Sequence, residues 1–161
     1  MGTYARAEPI RLLGGRPLGP LWRFGLIFTL LILVGQYLMM ILPLAPTTSA
    51  WRLFLPLLPL TLLRAASNGF NEEVIFRVAP MSPLVDVVGR SHAIWMAAVL
   101  FGLAHYIGGI LSGLPGIVLT GMLGLFFGKC LVDSKALFWP WLFHSVQDIL
   151  PFTLTALVYQ S

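Results

Sequence analysis

Charge is what this chain has least of. Only 10% of its 161 residues are Asp, Glu, Lys or Arg, whereas 58% are hydrophobic. Soluble domains carry about 25% charged residues, so the composition excludes an ordinary water-soluble globule. Cysteine is nearly missing. Cys130 stands alone, which excludes an intrachain disulfide, a zinc knuckle and a CxxC redox pair. Its expected place is as an apolar filler in a helix. No HExxH sequence is present, so the usual helix-borne zinc motif is missing. No basic cluster is interleaved with aromatics, so the formal charge of +4 does not mark a nucleic-acid partner. The apolar runs are long and do not alternate, which excludes a spanning β-barrel. Internal repeats and low-complexity linkers are absent as well.

The apolar runs that remain imply an all-α membrane protein, a bundle of about five transmembrane helices, since each crossing needs about 20 apolar residues. Residues 22–44 form the first run, behind Arg6, Arg11, Arg16 and Arg23. It is longer than the roughly 7–15-residue apolar region of a signal peptide, so it reads as an uncleaved span. Pro43, Pro46 and "TTSA" suggest a short loop. A second span over 51–76 contains Arg64 and ends in "NGFNEEVIFR". "RVAPMSPLVDVVGR" reads as a polar, Pro-rich connector. The third span is 93–110. A glycine-rich turn, "GGILSGLPG", leads to the fourth, 117–132. "DSK" turns the chain into the fifth, 136–159, which Pro140 and Pro151 should bend.

The domain organisation expected is a cytoplasmic N-terminal segment, 1–20, and a membrane-embedded helical domain, 21–161, with its motif core over 72–148. A cytoplasmic N-terminus puts Arg6, Arg11, Arg16, Arg23, Arg77, Arg90, Lys129 and Lys135 inside and only Arg52 outside, as the positive-inside tendency requires. Gly124 and Gly128 are GxxxG-spaced, as are Gly109 and Gly113. Both pairs are expected to permit close internal packing rather than dimerisation.

Ionisable groups at membrane depth are costly and tend to mark a pathway or a site. Glu73 and Arg77 are four apart and can pair on one helix face. Glu72 points about 100° away from Glu73. With Asn68 and Arg64 it makes a stripe, Arg64–Asn68–Glu72, expected to face the bundle interior. Arg64 would be a buried counter-charge or would snorkel outward. His105 lies in mid-span. His144 and Asp148 are again four apart, a spacing that can orient an imidazole, bind a metal or satisfy two polar groups. Counted at about 1.5 Å per residue, Glu72 is roughly 12 Å from Pro80, His144 roughly 13 Å from Lys135 and His105 roughly 15 Å from Trp95. The three would share one level, a polar site open to the cytoplasm.

These residues resemble the motifs of the CPBP intramembrane proteases, the CAAX prenyl endopeptidases and their bacterial relatives, also called the ABI family. EExxxR is matched by Glu72, Glu73 and Arg77, FxxxH by Phe101 and His105, and the His-to-Asn/Asp motif by His144 and Asp148. The order matches, and the resemblance covers Glu72 to Asp148. It implies a glutamate-dependent peptidase acting within the membrane. Glu72 would activate water, His105 would help position or deprotonate it, and His144 and Asp148 would stabilise the oxyanion. Glu73 and Arg77 would support the site, with Asn68 and Arg64 beside them.

The chemistry suits these roles. An apolar pocket raises a carboxylate's pKa and makes it a better base near neutrality, and an imidazole N–H can serve as an oxyanion donor. A neutral Asp148 could donate a hydrogen bond, whereas an ionised one could hold His144 in its tautomer. Two positions depart from the pattern. Val78 follows Arg77 where many members have Gly, and Asp148 stands where the prenyl endopeptidases commonly have Asn.

No cofactor is expected. The partners expected are the lipid bilayer and a membrane-tethered peptide or protein substrate, with a second copy or partner membrane subunit completing the walls of a cavity that five spans leave partly open. The location implied is a bacterial cytoplasmic membrane. Two other functions compete: a catalytically silent structural or assembly subunit of a larger membrane complex, and a metallopeptidase with Glu72, His105 and His144 as ligands.

Overall fold

The computed structural model describes residues 19–107 and 112–159. The expected N-terminal segment, with Arg6, Arg11 and Arg16, lies almost wholly outside these residues, as does "GGIL" with its Gly109. All the described elements are helical. They are α1 (Leu21–Gln36), a π turn (Tyr37–Ile41) and α2 (Leu42–Leu44), then α3 (Thr48–Phe54), a 3-10 turn (Leu55–Leu57), α4 (Leu58–Glu73), a second π turn (Val74–Val78) and α5 (Ala79–Val88). They end with α6 (Arg90–Ile107), α7 (Gly113–Ser134) and α8 (Phe138–Val158). Among the described residues, three helical runs are long and apolar enough to cross a membrane: Leu21–Leu44, Thr48–Val88 and Gly113–Ser134. With its long apolar helices, this is an all-α membrane protein. Helices α6 and α8 occupy the third and fifth expected spans. Over their described residues they are less apolar, because α6 opens on Arg90, Ser91 and His92 and α8 carries His144, Gln147 and Asp148.

The connector expected after Phe76 is instead helix. The run begun at Thr48 continues through Pro80 and Pro83 to Val88. A proline inside a helix drives its ring against the carbonyl four residues back. For Pro80 that carbonyl belongs to Phe76, inside the π turn, where i→i+5 bonding widens the helix. Pro43 repeats the device, with Met39 in the π turn Tyr37–Ile41. Pro140, expected to bend the last span, falls in the first turn of α8, where its missing N–H removes no intrahelical bond. The turn expected over 108–116 is shorter, since Gly113 to Gly116 already belong to α7.

The chain forms two compact units. The first contains Asn71–Pro140 and the second contains Pro20–Phe70 with Trp141–Ser161. In the first, α6 packs along α7 on small residues. A side chain at Gly124 would stand 2.9 Å from the Ala98 Cα, and one at Gly102 only 2.7 Å from the Ile117 carbonyl oxygen. Gly128 faces Ile94 in the same way. The small pair Gly124 and Gly128 thus serves internal packing. Beside this seam Met81, Ala97, Leu131 and Leu137 form the buried core. Gly89, at φ +82°, turns the chain from α5 into α6, a conformation that favours glycine. The core of the second unit is Ile41, Ala50, Phe54 and Leu157. Thr47 starts α3 there by accepting the Ala50 N–H on its hydroxyl at 3.2 Å.

Candidate active site

Glu72 and Glu73 end α4, immediately before the second π turn. Glu73 is wholly buried, whereas Glu72 is half-buried. The turn offset between neighbouring residues thus gives the two carboxylates different surroundings. Arg77 closes onto Glu73, with Nη1 3.2 Å from Oε1 and both side chains at 0% exposure. An interfacial helix end is where the sequence suggests this pair. It is instead fully buried and lies more than two turns before the end of the helix at Val88. Its position also removes Arg77 from the tally of loop charges. The distance from Glu72 to Pro80 therefore does not measure depth in the membrane.

Arg77 makes no hydrogen bond through Nε, Nη1 or Nη2. Its guanidinium carbon lies 3.8 Å from the centroid of the Phe101 ring and 5.2 Å from that of Phe127. A carboxylate and two aromatic faces therefore balance a charge that has left water. Phe101 sits at 1% exposure on α6. Phe76 and His105 meet its ring edge to face, with centroids 5.3 and 4.5 Å away. The His105 Nδ1 is 2.9 Å from the Phe101 carbonyl oxygen. A carbonyl only accepts, so Nδ1 carries the hydrogen, and a neutral ring then keeps its lone pair on Nε2. His105 is half-buried, a setting that suits an imidazole able to receive or direct a proton.

In the second unit, His144 is buried and its Nε2 lies 3.8 Å from Asp148 Oδ1. The other carboxylate oxygen, Oδ2, accepts the Asn68 amide at 3.0 Å. Asn68 thus reaches α8 from α4 across 80 residues of sequence. A side chain at Gly69 would meet Ser145 Oγ at 2.8 Å, so the two helices touch closely here. The Trp141 indole donates to the Ala66 carbonyl at 2.8 Å. Arg64 is exposed, its guanidinium carbon 5.8 Å from the Phe152 centroid. It is therefore not a buried counter-charge. Gln147, at 2% exposure, donates its amide to the Thr29 hydroxyl at 3.4 Å.

Phe127, Trp141 and Gln147 do not stand out in the sequence. Spacing offers a signal for Phe127. It lies three residues after Gly124 and one before Gly128, so the glycine stripe that brings α7 to α6 also carries this ring inward. Trp141 and Gln147 lie within one turn of the His144–Asp148 motif, yet nothing in their type marks the partner each finds.

Among the described residues, neither unit gathers three or more His, Cys, Asp or Glu side chains into a group that could hold a metal ion. Comparison with curated proteins gave no match, and comparison with solved structures gave none either. Residues 51–150 match the model of a protein family described as type II CAAX prenyl endopeptidase Rce1-like. That match spans well over half of the chain and takes in every motif residue from Glu72 to Asp148. An all-α membrane fold carrying the buried Glu73–Arg77 pair, the Phe101–His105 contact and the His144–Asp148 pair therefore belongs to the Rce1-like family of type II CAAX prenyl endopeptidases.

Proposed function

We propose that the protein hydrolyses a peptide bond of a membrane-associated peptide or protein, using water activated by Glu72. Glu72 takes a proton from the attacking water. His105, holding hydrogen on Nδ1, presents Nε2 to position that water or share its proton. His144 stabilises the oxyanion that forms as the water oxygen adds to the carbonyl, and the proton passes to the leaving amine as the C–N bond breaks. Asp148 acts as an acceptor that orients its neighbours, a role supported by the Asn68 amide it already receives. Glu73 and Arg77 brace Glu72 from the next position along the helix.

The observation that carries this reading is the Phe101–His105 contact. The FxxxH spacing sets the His105 imidazole edge to face against the Phe101 ring, with Nδ1 on the Phe101 carbonyl. The mechanism requires Glu72, His105 and His144 to meet at one water. The remaining parts of the proposal are a cytoplasmic N-terminus, a site facing the cytoplasm of a bacterial cell, no cofactor, and a second copy or partner subunit completing the cavity.

The test is cleavage by the full chain in proteoliposomes, first with a prenylated CAAX peptide because the family description names that substrate, then with an unprenylated membrane-anchored peptide. Glu72→Gln should lower the rate by about 10²-fold or more, the range of general acid–base catalysis. Undiminished cleavage by that variant removes Glu72 as the base. A chain that cleaves neither peptide, co-purifies with stoichiometric membrane partners and is unchanged by losing Glu72 or His105 is instead an assembly subunit.

A further inference from the structure

Arg77 has an unusual set of partners. A guanidinium offers five N–H donors, and this one is wholly buried with none of its nitrogens hydrogen-bonded. Lost hydration opposes such a state strongly unless other interactions replace it. Here the replacements are Glu73 Oε1 at 3.2 Å, the face of Phe101 at 3.8 Å and the ring of Phe127 at 5.2 Å. Guanidinium is planar and weakly hydrated, so aromatic faces suit it better than they suit an ammonium.

The same Phe101 ring carries His105 edge to face, and its carbonyl oxygen holds His105 Nδ1. The positions of Arg77 and His105 are thus both referred to one ring. Phe127 comes from the opposite helix, at 0% exposure, and Gly124 and Gly128 hold α7 close enough for it to reach in.

We propose that Phe127 is a positioning residue for His105: with Phe101 it holds the Arg77 guanidinium against two aromatic rings, and the Phe101 ring so fixed sets the imidazole. The consequence for the reaction rests on the proposed role of His105 in peptide hydrolysis, while the consequence for the imidazole itself does not.

The test replaces Phe127 in the full chain with ring-fluorinated phenylalanines, from monofluoro to pentafluoro, and separately with leucine. Fluorination keeps the shape of the ring and weakens the negative face that attracts a cation. Nitrogen NMR of the histidine side chains, with His105 assigned by its loss in His105→Gln, reads the tautomer. The expected result is a graded departure from the Nδ1–H tautomer as fluorination rises, and its loss in Phe127→Leu.

Where cleavage is measured, kcat should fall about tenfold in the pentafluoro protein with KM within about twofold, a modest misplacement on the scale where 1 Å costs about 10²-fold. An Nδ1–H signal unchanged in the pentafluoro protein overturns the proposal, even if Phe127→Leu alters it, because packing alone then accounts for the leucine effect. If Phe127→Leu does not fold, the shape-preserving series still decides. If the unmodified protein cleaves nothing, the peptidase reading falls on that arm, and the tautomer arm still judges Phe127.

Discussion

Arg77 in the first unit and Asp148 in the second are both ionisable side chains among apolar helices, yet their surroundings differ in kind. Arg77 is wholly buried and is met by a carboxylate and two aromatic faces, without a hydrogen bond. Asp148 keeps some exposure and is met by a directed amide from Asn68, with His144 at 3.8 Å. Ion pairing and ring contacts act over a broad range of angles, whereas hydrogen bonds need alignment. The Arg77 site of the first unit should therefore respond chiefly to a change of charge. The second should be sensitive to the geometry with which α4 meets α8. Gly69 against Ser145 and Trp141 against Ala66 fit that need, since both fix the separation of those helices.

Unbalancing the charge in the first unit should have the largest effect. Arg77→Met leaves the buried Glu73 without the arginine's charge and should cost about 3–5 kcal/mol. Adding Glu73→Gln should recover much of that loss. The measurement is the unfolding midpoint in mixed micelles, and a single variant no less stable than the double removes the charge argument. Helix spacing ranks next. Gly124→Ala places a methyl 2.9 Å from the Ala98 backbone and should cost about 1–3 kcal/mol through overpacking. Gly69→Ala meets the Ser145 hydroxyl, which can rotate, at 2.8 Å and the Ser145 backbone only at 3.1 Å and beyond, so it should cost less. The reverse order would show that the α4–α8 contact is the more rigid of the two.

Removing the directed bond of the second unit with Asn68→Ala should cost about 1 kcal/mol, in line with hydrogen bonds between membrane helices. A loss as large as that of Arg77→Met would erase the distinction between the two units. The smallest effect sets the baseline. The Lys129–Asp133 pair is close, at 2.8 Å, but its lysine side chain is 58% exposed. Lys129→Ala should change stability by about 0.5 kcal/mol or less, as exposed i,i+4 pairs do.

The motif residues are legible in the sequence because each pairing follows helical spacing. Glu73 with Arg77, Phe101 with His105 and His144 with Asp148 are all four apart, and all three contacts are formed. The fate of the prolines is not legible. "RVAPMSP" has the composition of a loop, but the widened turn over Val74–Val78 makes room for the Pro80 ring, and a polar connector becomes helix. Counting from Pro80 misjudges the depth of Glu72 for that reason. Long-range partners are equally hidden. Helical spacing puts Asn68 in a stripe with Arg64 and Glu72, yet its amide reaches Asp148, because the choice depends on how helices far apart in sequence come together.

The π turn before Pro80 also acts as a phase shifter. Bonding to the fifth residue instead of the fourth inserts one residue into the helical count, which is worth about 100° of rotation. Everything from Ala79 onward is dialled round by that amount relative to a regular continuation of α4. Met81, at 1% exposure, owes its inward bearing to this offset, as does Val87, at 80%, its outward one. Losing a single residue between Val74 and Val78 would restore the regular count and turn α5 to present a different face to α6. The helix that carries the two glutamates therefore cannot be shortened there without re-aiming every side chain from Ala79 to Val88.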